Sequence, residues 1–210
     1  MPADTPAPEL IRRCRAGEEA ARAELFTHYR HYLRVLAEAQ LGRHLRGKCD
    51  PSDLVQQTLL EAHRDFRTFQ GNQENELLGW LRRILAHNLF NEARRFATRG
   101  RDATREVSLE GFQAGLDHSS QVLSRCLADD GPSPSDAAAE RETAVRLADV
   151  LTRLPENYQR VLLLRLFEGL TAEEVAGHLG TTAGAVRMLQ MRALEGLRAL
   201  VNESAASPSP

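Results

Sequence analysis

Apolar residues recur along most of this chain at steps of three and four, the spacing that lines them up on one face of a helix. Leu25, Tyr29, Tyr32, Leu33 and Leu36 form such a stripe within residues 20–40. A helix start follows at Asp50-Pro51-Ser52-Asp53. It combines a capping side chain, a proline where the missing N–H is an orphan anyway, and acids facing the positive end of the helix dipole. This helix is predicted to run to about Phe66. A loop rich in Gly, Asn, Gln and Glu, residues 70–76, separates it from a helix over 77–96 with Leu77, Trp80, Leu81 and Ile84 on its apolar face. Few segments alternate with the period of two that strands need, so an all-α fold is expected.

The pattern breaks after residue 96. Gly100, Gly111, Gly115 and the run Gly131-Pro132-Ser133-Pro134-Ser135 punctuate residues 97–138, which reads as a flexible linker with a brief helix over 121–127. Helical periodicity resumes over 139–151. A block with strong boundary signals then covers 154–200. Pro155 suits a helix start, and Gly169 and Gly180 suit the left-handed conformation that ends one. Thr171 and Glu174 have capping-box spacing, and Thr182 can cap a last helix from about Ala183. Val175, Ala176 and Leu179 share one face of the short helix. In the last helix Val186, Leu189, Ala193, Leu197 and Leu200 point inward, which leaves Gly184, Arg187, Met188, Met191, Glu195 and Arg198 outward. The expectation is two small helical domains, 10–96 and 139–201, with a disordered Pro-rich tail over 202–210.

Composition agrees with helices: 42% of the 210 residues are hydrophobic, only 5% aromatic, and Leu, Ala, Arg and Glu are abundant. The formal net charge of −2 excludes nucleic-acid binding by bulk charge alone. Charge is unevenly placed, however. Seven arginines between Arg82 and Arg105 face only Glu92 and Asp102, a local balance of +5, and a mostly acidic stretch follows. The three cysteines are far apart and odd in number, so no disulfide framework or metal pair is implied, and a reducing cytoplasm fits. His28 and His31 lack a third ligand nearby, so no metal is predicted. No cofactor and no membrane insertion is predicted either: there is no phosphate-cradling glycine loop, no nucleophile–base pair, no leader and no membrane-length apolar run. Enzymatic chemistry is not expected.

The block over 154–200 has the pattern of a helix-turn-helix, whose second helix enters the major groove by its N-terminal part. Arg187 is placed to donate two hydrogen bonds to guanine and Arg192 to meet a phosphate. Read alone, the block fits a free-standing regulator binding DNA by itself, or a helical hairpin whose exposed arginines are only solubilising charges.

A second constellation bears on that choice. Asp53-Leu54-Val55-Gln56-Gln57-Thr58, then Phe66, Phe69 and Gly71, then Trp80-Leu81 and Ile84, then Arg94-Arg95, form a spaced set. This set resembles the second conserved domain of bacterial sigma factors, and 154–200 resembles their fourth. With only a linker between, the chain is similar to the extracytoplasmic-function (ECF) class. The resemblance implies a promoter-specificity subunit of RNA polymerase. On it, Asp53, Gln56, Gln57 and Glu61 dock on core polymerase, and the first, third and fourth of these fall at four-residue steps as a polar stripe. Phe69, Gly71, His87, Asn88, Asn91, Arg94 and Arg95 open and read the −10 element, with residues 70–79 as a pliable loop and Phe69 as a wall. Thr182, Gly184, Arg187, Met188, Met191 and Arg192 contact the −35 element.

The chain departs from the family's pattern in two places. Aligned without a gap on Trp80 and Arg94-Arg95, it has His87 where relatives usually carry Asn, with Asn88 one place later, and Asn91 where Asp is common. In the last helix Met188-Leu189 replaces a Ser-Arg pair, so a phosphate contact is missing and an apolar contact takes its place. The partners implied are core RNA polymerase and promoter DNA. Restraint by an anti-sigma factor, or phosphorylation by a Ser/Thr kinase at Ser133, Ser135 or the Ser-Pro tail, are the two forms of control the sequence permits.

Overall fold

The computed structural model describes residues 5–44, 49–99, 108–126 and 137–206, and among them every regular element is helical. The chain divides into two compact units, Met1–Asp117 and His118–Pro210. In the first, α1 (Ala7–Arg15), α2 (Glu19–His28), α3 (Arg30–His44), α4 (Pro51–Asp65) and α5 (Glu74–Arg99) pack around Leu25, Tyr29, Tyr32, Leu33, Leu36, Leu77, Leu81 and Leu85, all fully buried. Asp50 caps α4 by accepting the Ser52 N–H at 2.8 Å, and a 3-10 turn, Phe66–Thr68, ends it.

Four boundaries differ from expectation. Helix α1 precedes the first stripe picked out, over 20–40, and buries Leu10, Ile11 and Cys14. The stripe over 20–40 belongs to two helices that meet at Tyr29, whose hydroxyl donates to Glu74 Oε1 at 3.0 Å. His28 and His31 therefore sit on different helices rather than one face. Helix α5 starts at Glu74, inside the expected loop, because the Glu76 carboxylate reaches back to the N–H groups of Asn72 and Gln73 at 2.8 and 3.0 Å.

The fourth difference concerns the linker. Residues 109–125 form a full helix, α6 (Leu109–Arg125), in place of the brief turn expected over 121–127. Its first half packs on unit 1: Phe112 and Leu116 are buried, and Asp117 accepts from Arg82 Nε at 2.7 Å while Arg82 also donates to the Tyr32 hydroxyl at 2.9 Å. Gly115 is no breaker here. A Cβ on it would lie 2.5 Å from Gln40 Oε1, so glycine lets α6 approach α3. The expected Gly-Pro-Ser run at 131–135 lies outside the described residues.

The second unit holds α7 (Ala137–Leu151), α8 (Glu156–Leu162), α9 (Ala172–Leu179) and α10 (Ala183–Ala206), with a π-helical turn, Leu163–Phe167, between α8 and α9. Val161, Leu164, Ala172, Val175, Ala176 and Val186 form the core of the α8–α9–α10 corner. The capping box is complete: Glu174 accepts the Thr171 N–H at 2.7 Å and Thr171 Oγ1 accepts the Glu174 N–H at 3.2 Å. Gly180 ends α9 at φ 63°, and Thr182 Oγ1 accepts the Ala185 N–H at 3.2 Å to start α10. Residues 202–206 continue α10, which corrects the disordered tail expected from 202. Asn202 to Ala206 are tolerated in a helix, and the prolines that stop one begin only at Pro208.

Candidate polymerase and DNA surfaces

On α4, Asp53, Gln56 and Gln57 are exposed on one face, as their spacing requires. Glu61 stands at the edge of that face, accepting from Gln57 Nε2 at 2.6 Å and from Asn88 Nδ2 at 3.3 Å. The structure adds Leu60, which is 60% exposed in the middle of the stripe. Sequence reading passed over it because a leucine beside Leu59 in an apolar helix reads as core. The available signal was its register, three and four residues beyond Gln57 and Gln56.

The seven residues expected at the −10 element divide. His87, Asn91, Arg94 and Arg95 are exposed on one face of α5, with Arg83 on the same face. Arg95 pairs with Glu92 at 3.1 Å, and the Arg94 guanidinium lies 5.6 Å from the centre of the Phe90 ring. Asn88, one residue past His87, is turned by about 100° around the helix. It is buried between α4 and α5 and donates to Thr58 Oγ1 at 3.1 Å. Phe69 is also buried, at 5.8 Å from the Phe66 ring and 5.2 Å from Trp80, so it is part of the core rather than an open wall.

The loop before α5 is short and held. Only residues 69–73 lie between the 3-10 turn and Glu74, so Gly79, expected in the loop, is helical. Arg15, from the helix that sequence reading missed, donates to the Gly71 carbonyl and places its guanidinium 6.0 Å from the centre of the Phe69 ring. Gly71 folds against Phe69 and Glu76 so closely that a Cβ would lie 2.6 Å from each. Beside this loop a cavity of about 560 Å³ is lined by Arg15, Arg22, Arg67 and Gln70. Arg22 Nε is buried without a hydrogen-bond partner, although its guanidinium pairs with Glu19 at 3.5 Å. Burial pushes the Cys14 thiol of the same cavity up to about 11, which keeps it protonated at neutral pH.

In unit 2 all six residues expected at the −35 element, Thr182, Gly184, Arg187, Met188, Met191 and Arg192, are exposed. Arg187 pairs with Glu173 of α9 at 3.2 Å. That contact and a backbone hydrogen bond hold the Glu173 carboxyl below its ordinary range. The helix carrying this face is fixed from behind. Arg165, in the π-helical turn, donates to Gln190 Oε1 at 2.9 Å and to the Leu170 carbonyl, tying α10 to the turn before α9. Among the described residues no group of His, Cys, Asp or Glu is arranged to hold a metal, and no helix is long and apolar enough to cross a membrane.

The arrangement is one surface able to meet a protein and two exposed faces bearing arginines. Known proteins match this chain over most of its length. The family model for ECF sigma factors matches residues 6–205. The chain is 30% identical over 183 residues to the ECF RNA polymerase sigma factor SigD of Mycobacterium tuberculosis, covering 87% of this chain and 78% of that protein. It is 27% identical over 194 residues to the RNA polymerase sigma-H factor of Pseudomonas aeruginosa, covering 90% of each. Among solved structures it is similar to the RsbN–BldN complex, at 24% identity, 90% coverage of this chain, 98% of that chain and a TM-score of 0.31.

Proposed function

The chain belongs to the ECF sigma factor family, and on that premise we propose how its two units divide the work of promoter selection. It is an RNA polymerase sigma factor whose match spans both units. A free-standing helix-turn-helix regulator is therefore not the preferred reading, because it would leave the α4 surface without a task. Residues 10–96 bind core polymerase and open the −10 element; residues 139–201 bind the −35 element. The polymerase makes the bonds, and the protein works in the cytoplasm beside it.

The observation that carries this division is the contrast of exposed surfaces. On α4, Asp53, Gln56 and Gln57 surround the exposed Leu60, a polar rim about an apolar centre, as a protein interface requires. On α5, His87, Asn91, Arg94 and Arg95 offer donors and positive charge without a central apolar residue, which suits a nucleic-acid backbone and base edges. Phe69 and Asn88 act from inside by shaping the loop and the α4–α5 seam. Glu61 serves both sets, since it lies at the edge of one and holds Asn88 of the other.

Mixing with core polymerase tests the reading. The expected result is a stable complex that starts transcripts at defined promoters on genomic fragments. Failure to bind core, or transcription without promoter preference, would overturn it. Asp53→Arg should impair core binding without unfolding the domain, since losing an acid at the α4 N-terminus costs about 1 kcal/mol or less. Control by an anti-sigma factor over the same surfaces is the form of regulation that needs no further site; a Ser/Thr kinase acting at Ser133 or Ser135 is the other, told apart by whether the purified, unmodified protein is active on its own.

A further inference from the structure

Large apolar side chains left in water are uncommon on a folded surface, and among the described residues there are three: Leu60, Met188 and Met191. Two of them stand on the outer face of α10, at 47% and 50% exposure, within its first nine residues. Their arrangement is specific. At about 100° per residue, Met188 and Met191 lie about 60° apart at the middle of the exposed face. Arg187 lies about 40° beyond Met191 on one side, and Arg192 about 40° beyond Met188 on the other. Gly184 continues the apolar centre toward the helix N-terminus and adds no side chain to hold the helix away from a partner. Thr182, at the cap, leaves its hydroxyl engaged with the Ala185 N–H.

An apolar strip between two arginines has one natural occupant in a major groove. The arginines at the rims meet phosphates or guanine, and the strip meets the groove floor. The floor is polar at every base edge except one, the C5 methyl of thymine. We propose that Met188 and Met191 read thymine by its methyl group, so that this protein selects a thymine-bearing −35 element by apolar contact. The inference rests on the assignment of α10 to the −35 element and names the base chemistry that assignment leaves open. Flanking positive charge favours DNA over a protein as the occupant, since a protein-binding strip gains nothing from an arginine on each side unless its partner is acidic.

Base analogues test it directly. Promoters are first found by transcription of genomic fragments with holoenzyme, and the protected upstream element is mapped by footprinting. Each thymine of that element is then replaced singly by deoxyuridine, which removes the methyl and leaves every hydrogen-bonding group in place. At one or two positions the wild-type holoenzyme should lose about three- to fivefold in occupancy, the scale of one buried methyl. The Met188→Ala and Met191→Ala proteins should bind both DNAs alike, and Met188→Leu should restore part of the sensitivity. Placing 5-methylcytosine opposite guanine at a neighbouring position should raise wild-type occupancy where the strip can reach it. Both methionines are exposed, so the variants should melt as wild type does. Promoter-directed transcription that ignores every deoxyuridine overturns the methyl reading and leaves the sigma assignment standing. Absence of any promoter-directed transcription overturns the assignment itself. Unchanged DNA binding by the alanine variants together with weakened core binding also overturns the methyl reading, in favour of a protein on that face.

Discussion

The two candidate DNA faces are held in opposite ways. In unit 2 every expected contact stands out from a helix fixed on its far side, by Val186, Ala193 and Leu197 in the core and by Arg165 bridging to Gln190 and Leu170. Apart from Thr182, which caps α10, support and recognition belong to different residues. In unit 1 the expected contacts are mixed with the support: Phe69 is packed under the loop, Asn88 closes the α4–α5 seam, and only His87, Asn91, Arg94 and Arg95 face outward. A helix-turn-helix must present a rigid face to an intact duplex. A face beside a short, tightly braced loop suits a strand that has already left its partner, because a preorganised acceptor holds an unstacked base at less cost in ordering than a loose one.

If this contrast is right, substitutions of the expected contacts in unit 1 divide into folding and binding effects, whereas those on the outer face of α10 act on binding alone. The largest effect is expected for Phe69→Ala. Emptying its place beside Phe66 and Trp80 should cost about 3–5 kcal/mol by denaturant unfolding, and an unchanged midpoint would mean that Phe69 is a free wall after all. Asn88→Leu should cost about 1–3 kcal/mol, because Thr58 and Glu61 lose their shared donor. A protein of normal stability that failed only at promoter opening would return Asn88 to the DNA face.

Next in size is Arg15→Ala. With the brace on Gly71 gone, opening of the −10 element, followed by 2-aminopurine fluorescence, should slow by roughly tenfold, the scale of one charged hydrogen bond. Premelted promoter should restore the rate. Core binding and −35 binding should stay as they were, and slowing that persists on premelted DNA would show that the loop is not what Arg15 serves.

Acid gives a smaller, graded effect in unit 2. Hydrogen bonds with Thr171 hold the Glu174 carboxyl below its ordinary range. A group with a depressed folded pKa stabilises above the unfolded value, about 4.3 for glutamate. That contribution is lost as pH falls through the lower, folded value. Melting of wild-type unit 2 signals should therefore drop more steeply below pH ~4.3 than in Glu174→Gln, and parallel curves would remove the capping box from the account. The smallest effect is that of Arg187→Ala on folding. Its pair with Glu173 is exposed and screened, so the melting temperature should hold while −35 preference weakens. Wild-type promoter preference in that variant would deny Arg187 its reading role.

Much of unit 2 was legible before any coordinates, because its signals are local. A capping box, two left-handed glycines and a three-and-four stripe each act within a turn or two of chain, so Thr171, Glu174, Gly169, Gly180 and the outward set on α10 could be placed from spacing alone. The α4 start at Asp50 was local in the same sense. What failed depended on partners distant in sequence. Gly115 looked like a linker residue until Gln40, 75 positions away, proved to need the space above it. Asn88 looked like a contact until Thr58 claimed its amide, and Phe69 like a wall until Trp80 and Arg15 covered it. Periodicity tells which residues share a face. Only packing decides whether that face meets solvent, another helix or nothing, since burial is a property of neighbours brought together from elsewhere in the chain. The sequence by itself thus determined most of the helices, the family and the outward face of α10; the tertiary structure decided which polar residues face outward and which are spent holding the protein together.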